Sequence, residues 1–423
     1  MEIGSSIRVF RISIIIVICA LILAQCKKVY TEVTVPGQEV FNFSVTESQR
    51  TFINSTRGEK YEITNPVPLL HYAGVAYTID HFRIRGENTL NFDRKSFGIN
   101  LGGRLPIYNQ YERSHRKYEK FKLLSMVYDY TYIENSTAAG IFRELGLWPV
   151  YSFFTEVRLN NRTQGLYHFV EDPITYFTEQ KNSPFILRRD YNHGIKEYSA
   201  GPQAKDPETC LAGFRKIYSD IALYSGKQLY DSLYSRMDLE EYFTKLSIDM
   251  LLKNGDYTDE VYFYLKTDSG IEKFGIFPWD EDDLFSSQPH EIGKSWAPGT
   301  VFGQRYYSSM NDVVADVGQK LLYSIEDDLD YKIAKDTLLY QRYLITLRSV
   351  MEKIDVSVID KVFDNTFSQI GPFYAVDSII NESRYDDKET NYDLFVSNLA
   401  AKKQFLKERR DQILTELDLQ QKR

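Results

Sequence analysis

The stretch Lys253-Asn-Gly-Asp256-Tyr-Thr-Asp-Glu260-Val-Tyr-Phe-Tyr-Leu-Lys266, continued by Gly275-Ile-Phe-Pro-Trp-Asp280-Glu-Asp-Asp-Leu-Phe285, decides how this chain is read. Ahead of it, Asp238 stands three residues before Glu241, the spacing of a capping box. The helix that this opens has an apolar stripe of Leu239, Tyr242, Phe243, Leu246 and Met250, and Gly255 predicts its left-handed stop. Val261 to Lys266 and Ile271 to Phe277 then read as a hairpin turning across Thr267-Asp-Ser-Gly270, with Pro278-Trp279 ending the second strand. Asp256 is thus placed on a loop leaving a rigid helix, and Asp280 on a loop leaving a small sheet. A single Asp in such a place is ordinarily a turn or capping residue. Two of them, brought to one face from different loops, form a candidate site.

Working outward, Phe82 and Ile84 alternate with Arg83 and Arg85 until Gly86 breaks the run. Lys95, Phe97, Ile99 and Leu101 alternate with Ser96, Gly98 and Asn100, which predicts a second strand. This parity puts Lys95 on the apolar side, where an ammonium needs an anionic partner unless it snorkels to water. Helical spacing runs from Tyr132 to Leu145 with Gly146 as its stop, and Phe153 to Leu159 pairs with Leu166 to Val170 across Asn160 to Gly165. The second strand of that hairpin runs into Glu171, a solvated strand end or a partner for Lys95. From about Asp312 the pattern is mostly helical, with long segments over Asp330 to Ile354 and Asn391 to Leu417. The fold class is α+β with a mostly helical C-terminal lobe.

Composition bounds the rest. In 423 residues, 43% hydrophobic and 14% aromatic, there is material for a packed core and little case for disorder. The net charge of −8 without a long basic stripe disfavours nucleic acid as a partner. At the N-terminus, Arg8 and Arg11 precede an apolar run from Ile12 to Ala24, short for a membrane span and suited to a signal peptide over residues 1–25. The run ends in Leu23-Ala24-Gln25-Cys26, which resembles a bacterial lipobox with Gln25 in place of the usual small residue. Cys26 is the expected lipidation site, residues 26–46 a tether, and 47–420 one domain. With Cys19 removed and Cys26 lipidated, Cys210 would be left free, so the exported domain would be held by its core and not by a disulfide.

Phosphoryl transfer needs a carboxylate near the acceptor hydroxyl, carboxylates on Mg²⁺ and a cation on the phosphates, roles that Asp256, Asp280 and Lys95 can fill. A glycosidase also needs only two suitably spaced carboxylates, and sequence spacing does not separate the two chemistries.

An ordered set of short motifs adds to this. Arg83-Ile-Arg-Gly86, Arg94-Lys-Ser-Phe-Gly-Ile-Asn-Leu101, Phe121-Lys-Leu-Leu-Ser125, Asp129-Tyr-Thr131, Val157-Arg-Leu-Asn160, Gly165-Leu-Tyr167, Glu171, Asn254-Gly-Asp256, Pro278-Trp-Asp280 and Phe405-Leu-Lys-Glu-Arg-Arg410 follow one another over most of the chain. In this order they resemble the CotH family of atypical secreted protein kinases. The resemblance implies a kinase-like fold that binds ATP and transfers phosphate to Ser/Thr; with the signal-like segment and Cys26, the expectation is an ATP- and Mg²⁺- or Mn²⁺-dependent kinase acting on an exported or envelope protein from a lipid anchor in a bacterial envelope. Carried over by position, Asp256 is the catalytic carboxylate and Asp280 a metal ligand, with Asp282 a second. Lys95 and Arg85 bind phosphate, and Glu171 partners Lys95 or touches nucleotide. Where this chain has Glu260 the family commonly has a metal-holding Asn. Glu260 can offer an oxygen to the metal, or it marks a catalytically silent surface lipoprotein that binds another protein.

Overall fold

The computed structural model describes residues 39–421 except 110–112, 130, 191–192, 203–205, 257, 269, 287–304, 307–312, 315–319, 324–326 and 383–388. The segment expected to be a signal peptide and Cys26 therefore lie outside the described residues.

Eight strands build the N-terminal half: β1 (Val40–Ser44), β2 (Tyr61–Glu62), β3 (Leu69–Tyr72), β4 (Val75–Arg85), β5 (Ser96–Asn109), β6 (Ser114–Leu124), β7 (Ser152–Leu159) and β8 (Arg162–Glu171). The sheet order is β2-β4-β3-β1-β7-β8-β6-β5, and β5 pairs back onto β4, so seven strands close into a barrel with β2 attached at one side. All its pairs are antiparallel except β1 with β7. Alternation fills the closed barrel: Phe41, Phe43, Phe82, Phe97, Phe121 and Phe169 all point inward and are buried, packing the interior with rings. The β7–β8 turn places Asn160 and Asn161 at positive φ, the backbone that a two-residue hairpin requires and Asn tolerates.

The remainder pairs a four-stranded antiparallel sheet with helices. Strands β9 (Phe185–Arg189), β10 (Ile195–Ala200), β11 (Val261–Asp268) and β12 (Ile271–Pro278) run in the order β10-β9-β11-β12. The helices of eight residues or more are α1 (Glu47–Ser55), α2 (Glu134–Glu144), α3 (Pro207–Leu223), α4 (Gly226–Arg236), α5 (Leu239–Leu252), α6 (Asp328–Lys335), α7 (Thr337–Lys353), α8 (Val356–Ile370) and α9 (Tyr392–Gln421). The expected C-terminal helical lobe is present. The segment read as one helix from Asp330 is two, because the Asp336 carboxylate accepts the amides of Leu338 and Leu339 and starts α7 afresh. Among the described residues no helix is long and apolar enough to cross a membrane.

One motif residue ties the barrel to the C-terminal part. Buried Arg94 donates to the Tyr132 hydroxyl at 2.8 Å and to the Leu166 carbonyl, and Tyr132 donates on to the Ile380 carbonyl at 3.0 Å. Asp129 caps α2 by accepting the amides of Ile133 and Glu134 at 3.0 and 2.8 Å.

Candidate active site

Helix α5 and the β11–β12 hairpin aim two acidic loops at one another. Asp238 caps α5 through the Glu241 amide at 3.0 Å, while the Glu241 carboxylate goes to Lys266 and the Ile276 amide and so pins the helix to the hairpin. The left-handed residue that ends α5 is Lys253, with φ 53°, and not Gly255. Gly255 is needed for a different reason: a Cβ there would lie 2.1 Å from Asp283 Oδ2. Its amide donates to the Asp283 carbonyl at 2.8 Å, Phe285 donates to the Leu252 carbonyl at 2.8 Å, and Ser286 to the Lys253 carbonyl at 3.1 Å. Buried Asn254 completes the staple, donating to Glu281 Oε2 at 2.7 Å. On the hairpin side, Trp279 donates to the Glu260 carbonyl at 3.0 Å, and Asp280 follows at φ 55°, a conformation uncommon outside glycine.

These loops form one wall of a cleft of about 780 Å³. Asp256, Asp259, Glu260, Asp280, Asp282 and Asp283 line it, with Glu134 from α2; Arg85, Glu87 and Lys60 come from the barrel, and Arg188, Lys196 and Glu197 from the β9–β10 hairpin. One oxygen from each of Asp256, Asp259 and Glu260 lies within 4.8 Å of the other two. An oxygen-only donor set of this kind fits a hard divalent cation such as Mg²⁺ or Mn²⁺.

The crowding shows in the electrostatics. Burial, with Asp280, Asp259 and Asp256 adding to it, pushes the Glu260 carboxyl well above its usual range despite Arg188. Burial and the Asp280 and Asp256 charges do the same to Asp282. Two cations answer this. Arg188 donates through Nε to the Asp259 carbonyl at 2.9 Å and through its other end to Glu260 Oε2. Lys196 donates to Asp259 Oδ2 at 2.6 Å and lies 3.1 Å from Glu87 Oε2. Above them, the Arg85 guanidinium lies 5.8 Å from the Trp279 ring centroid.

The residues expected at a site divide into two groups. Asp256, Asp280, Asp282, Glu260 and Arg85 are gathered in the cleft. Lys95 and Glu171 are not part of its lining, and they do not pair as expected. Lys95 is buried and donates to the Leu90 carbonyl at 2.6 Å and to the Phe92 carbonyl, so its apolar-side position is satisfied by main chain. Glu171 accepts from the Tyr151 amide at 3.1 Å and from Gln180 at 2.5 Å, with Arg116 at 3.7 Å. Sequence reasoning missed Asp259, Arg188 and Lys196. A signal existed for one of them: Arg188 interrupts the apolar run Phe185-Ile-Leu, and a cation inside a core strand needs an acid.

The fold and cleft define a class: an α+β protein whose barrel and helical part meet at a carboxylate-rich cleft with hard-cation donors. The chain belongs to the CotH kinase protein family, whose pattern it matches over residues 82–413. It is a kinase-like protein by that membership. Among solved structures it is similar to a chain of the Shewanella oneidensis MR-1 toxin–antitoxin complex of HipA, HipB and operator DNA, at 11% identity and TM-score 0.31. The match covers 86% of this chain and 66% of that one. No curated protein matches the chain.

Proposed function

We propose that the protein is a protein serine/threonine kinase that uses ATP with Mg²⁺ or Mn²⁺ and acts on an exported or envelope protein. The observation that carries this is the three-carboxylate oxygen cluster in the cleft of a CotH-family chain, with Asp280 and Asp282 on the facing loop. Asp259 and Glu260 of that cluster, with Asp280 and Asp282 beside them in the cleft, would hold the cation, which would supply positive charge to offset that of the phosphates.

Asp256 sits at the exit of α5, where the staples to the 281–286 loop fix its backbone and its amide donates to Asn254 Oδ1 at 3.2 Å. In this reading its carboxylate takes the proton of the acceptor hydroxyl. The hydroxyl oxygen then bonds to the γ-phosphorus as the bond to the β–γ bridging oxygen breaks, and ADP leaves with that electron pair. Arg85, in the cleft lining, brings positive charge to the phosphates, which the overall acidity of the chain does not supply. Arg188 donates to Glu260, the carboxylate that departs from the family pattern, and offsets part of the charge that it adds, which supports an active protein.

The test is phosphate incorporation from labelled ATP with Mg²⁺ or Mn²⁺, alongside nucleotide-induced melting shifts. Wild type is expected to show both, and Asp280→Ala to lose about 100-fold or more of the incorporation, as removal of a preorganised electrostatic group does. A wild type that shows neither returns the chain to the reading of a silent surface lipoprotein. The sequence reading of export and lipidation at Cys26 is proposed with this function. Mass spectrometry finding an unmodified mature N-terminus other than Cys26 would discard it.

A further inference from the structure

Three carboxylates within 4.8 Å of one another repel strongly unless a cation stands among them. The chain supplies its own, and among the described residues Arg188 and Lys196 touch the cluster and are held very differently. Arg188 is built in: its side chain is 7% exposed, it lies in the middle of the sheet opposite Tyr262, and its guanidinium is anchored at both ends. Breaking a buried pair of this kind leaves a stranded charge.

Lys196 is held loosely. It lies where the β9–β10 register shifts, between Ile195 and Glu197, and such a bulge re-aims a side chain out of the ladder. That is why a residue of an edge strand reaches into the cleft. Its ammonium has one bond into the cluster, to Asp259 Oδ2 at 2.6 Å, and a second carboxylate, Glu87 Oε2, 3.1 Å away on the barrel side. Glu87 is 56% exposed and outside the cluster, so the ammonium has somewhere to go when it leaves Asp259. A compact charge on a flexible four-carbon stem can make that move without disturbing the sheet. Burial and Arg188 work against its charge, but Asp259 and Glu260 outweigh them and hold it protonated.

We propose that Lys196 is a tethered counter-ion that occupies the Asp259 carboxylate until a divalent cation displaces it, and that the displaced ammonium then serves the phosphates of the nucleotide. This rests on the metal and nucleotide reading given above and deepens it. Metal and nucleotide binding are then coupled through one side chain, with opposite signs for the two ligands. Removing Lys196 removes a competitor of the metal and, at the same time, a partner of the phosphates.

The experiment is a calorimetric or EPR titration of the full chain with Mn²⁺ alone, then with ADP at saturating Mn²⁺, for wild type, Lys196→Gln and Lys227→Gln. Lys227 is outside the cleft lining, 81% exposed and paired with Asp231, and reports a mere change of net charge. Lys196→Gln is expected to bind Mn²⁺ about fivefold or more tighter and ADP about fivefold weaker, each roughly 1 kcal/mol. Lys227→Gln should leave Mn²⁺ affinity within about twofold, the scale of a screened surface charge. Wild-type binding of Mn²⁺ with no gain in Lys196→Gln, or an equal gain in Lys227→Gln, overturns the counter-ion proposal alone. Absence of Mn²⁺ binding in all three proteins overturns the metal reading and this proposal with it.

Discussion

Glu171 and Glu260 are both buried, at 2% and 7% exposure, and both lie at the end of a strand or the start of one. Their surroundings differ. Glu171 is met by donors: the Tyr151 amide, the Gln180 side chain and Arg116. Glu260 has one strong donor, Arg188, and three other acids acting on it, so its proton affinity is pushed far up. The same contrast separates two lysines. Lys95 gives its ammonium to main-chain carbonyls, whereas Lys196 gives it to a carboxylate among other carboxylates. Charges that are fully met hold a fold together. Acids crowded with their own kind around an open cleft mark a candidate place for a ligand, and this distinguishes the cleft from the barrel wall.

The comparison can be broken most directly in the cleft. Asp256→Asn removes the proposed proton acceptor with little change of shape, and phosphate incorporation should fall about 100-fold or more. Nucleotide affinity, read by melting shift, should hold. Equal incorporation by the variant would move Asp256 out of the chemistry and leave it a loop residue.

A smaller effect is expected where the two acidic loops are fastened. Asn254→Ala leaves the buried Glu281 carboxylate without its 2.7 Å donor, which should cost about 1–3 kcal/mol in chemical denaturation. If stability is unchanged, the staple is dispensable and the loops are held by their main-chain bonds alone.

The mildest test lies in the barrel. Lys95→Met should leave nucleotide affinity at the wild-type value, the opposite of what the sequence resemblance implies. Burial, and secondarily Arg57, push the Lys95 ammonium down to about 8 from 10.5. Below pH 8 it is charged in both folded and unfolded chains, and the fold carries the full penalty. As pH rises from 8 to 10.5 the folded chain is neutral while the unfolded chain still holds its proton, so the penalty is relieved. Wild type should therefore gain stability relative to Lys95→Met over that window. A flat difference, or a loss of nucleotide affinity, would return Lys95 to the site.

Much of the site was legible because its geometry is local. The Asp238 cap, the apolar stripe of α5, and the β11–β12 pairing from Val261 opposite Pro278 to Asp268 opposite Ile271 are all short-range. Together they fix Asp256 and Asp280 on neighbouring loops. The stop of α5 was right in place and wrong in residue: Lys253 takes the left-handed backbone, and Gly255 is kept for the close approach of Asp283. Lys95 was correctly put on the apolar side of its strand. What that side faces depends on the turn at Asn88–Asn91 presenting its carbonyls, which alternation does not encode.

By itself, the sequence determined the α+β character, the helix-to-hairpin unit that carries both acidic loops, the family and five of the seven residues expected in the cleft. Those follow from periodicity, caps and turns, whose physics acts over a few residues. Tertiary structure alone decided the closure of the barrel, which needs β1 to pair with β3 and β7 and β5 to return to β4. It also decided which cation meets which acid. Arg188 and Lys196 lie more than sixty positions before their partners Glu260 and Asp259, and only the pairing of β9 with β11, and the shift that re-aims Lys196, bring them together. A lone charge in a sequence names no partner, because Coulomb attraction selects by distance in space and not along the chain.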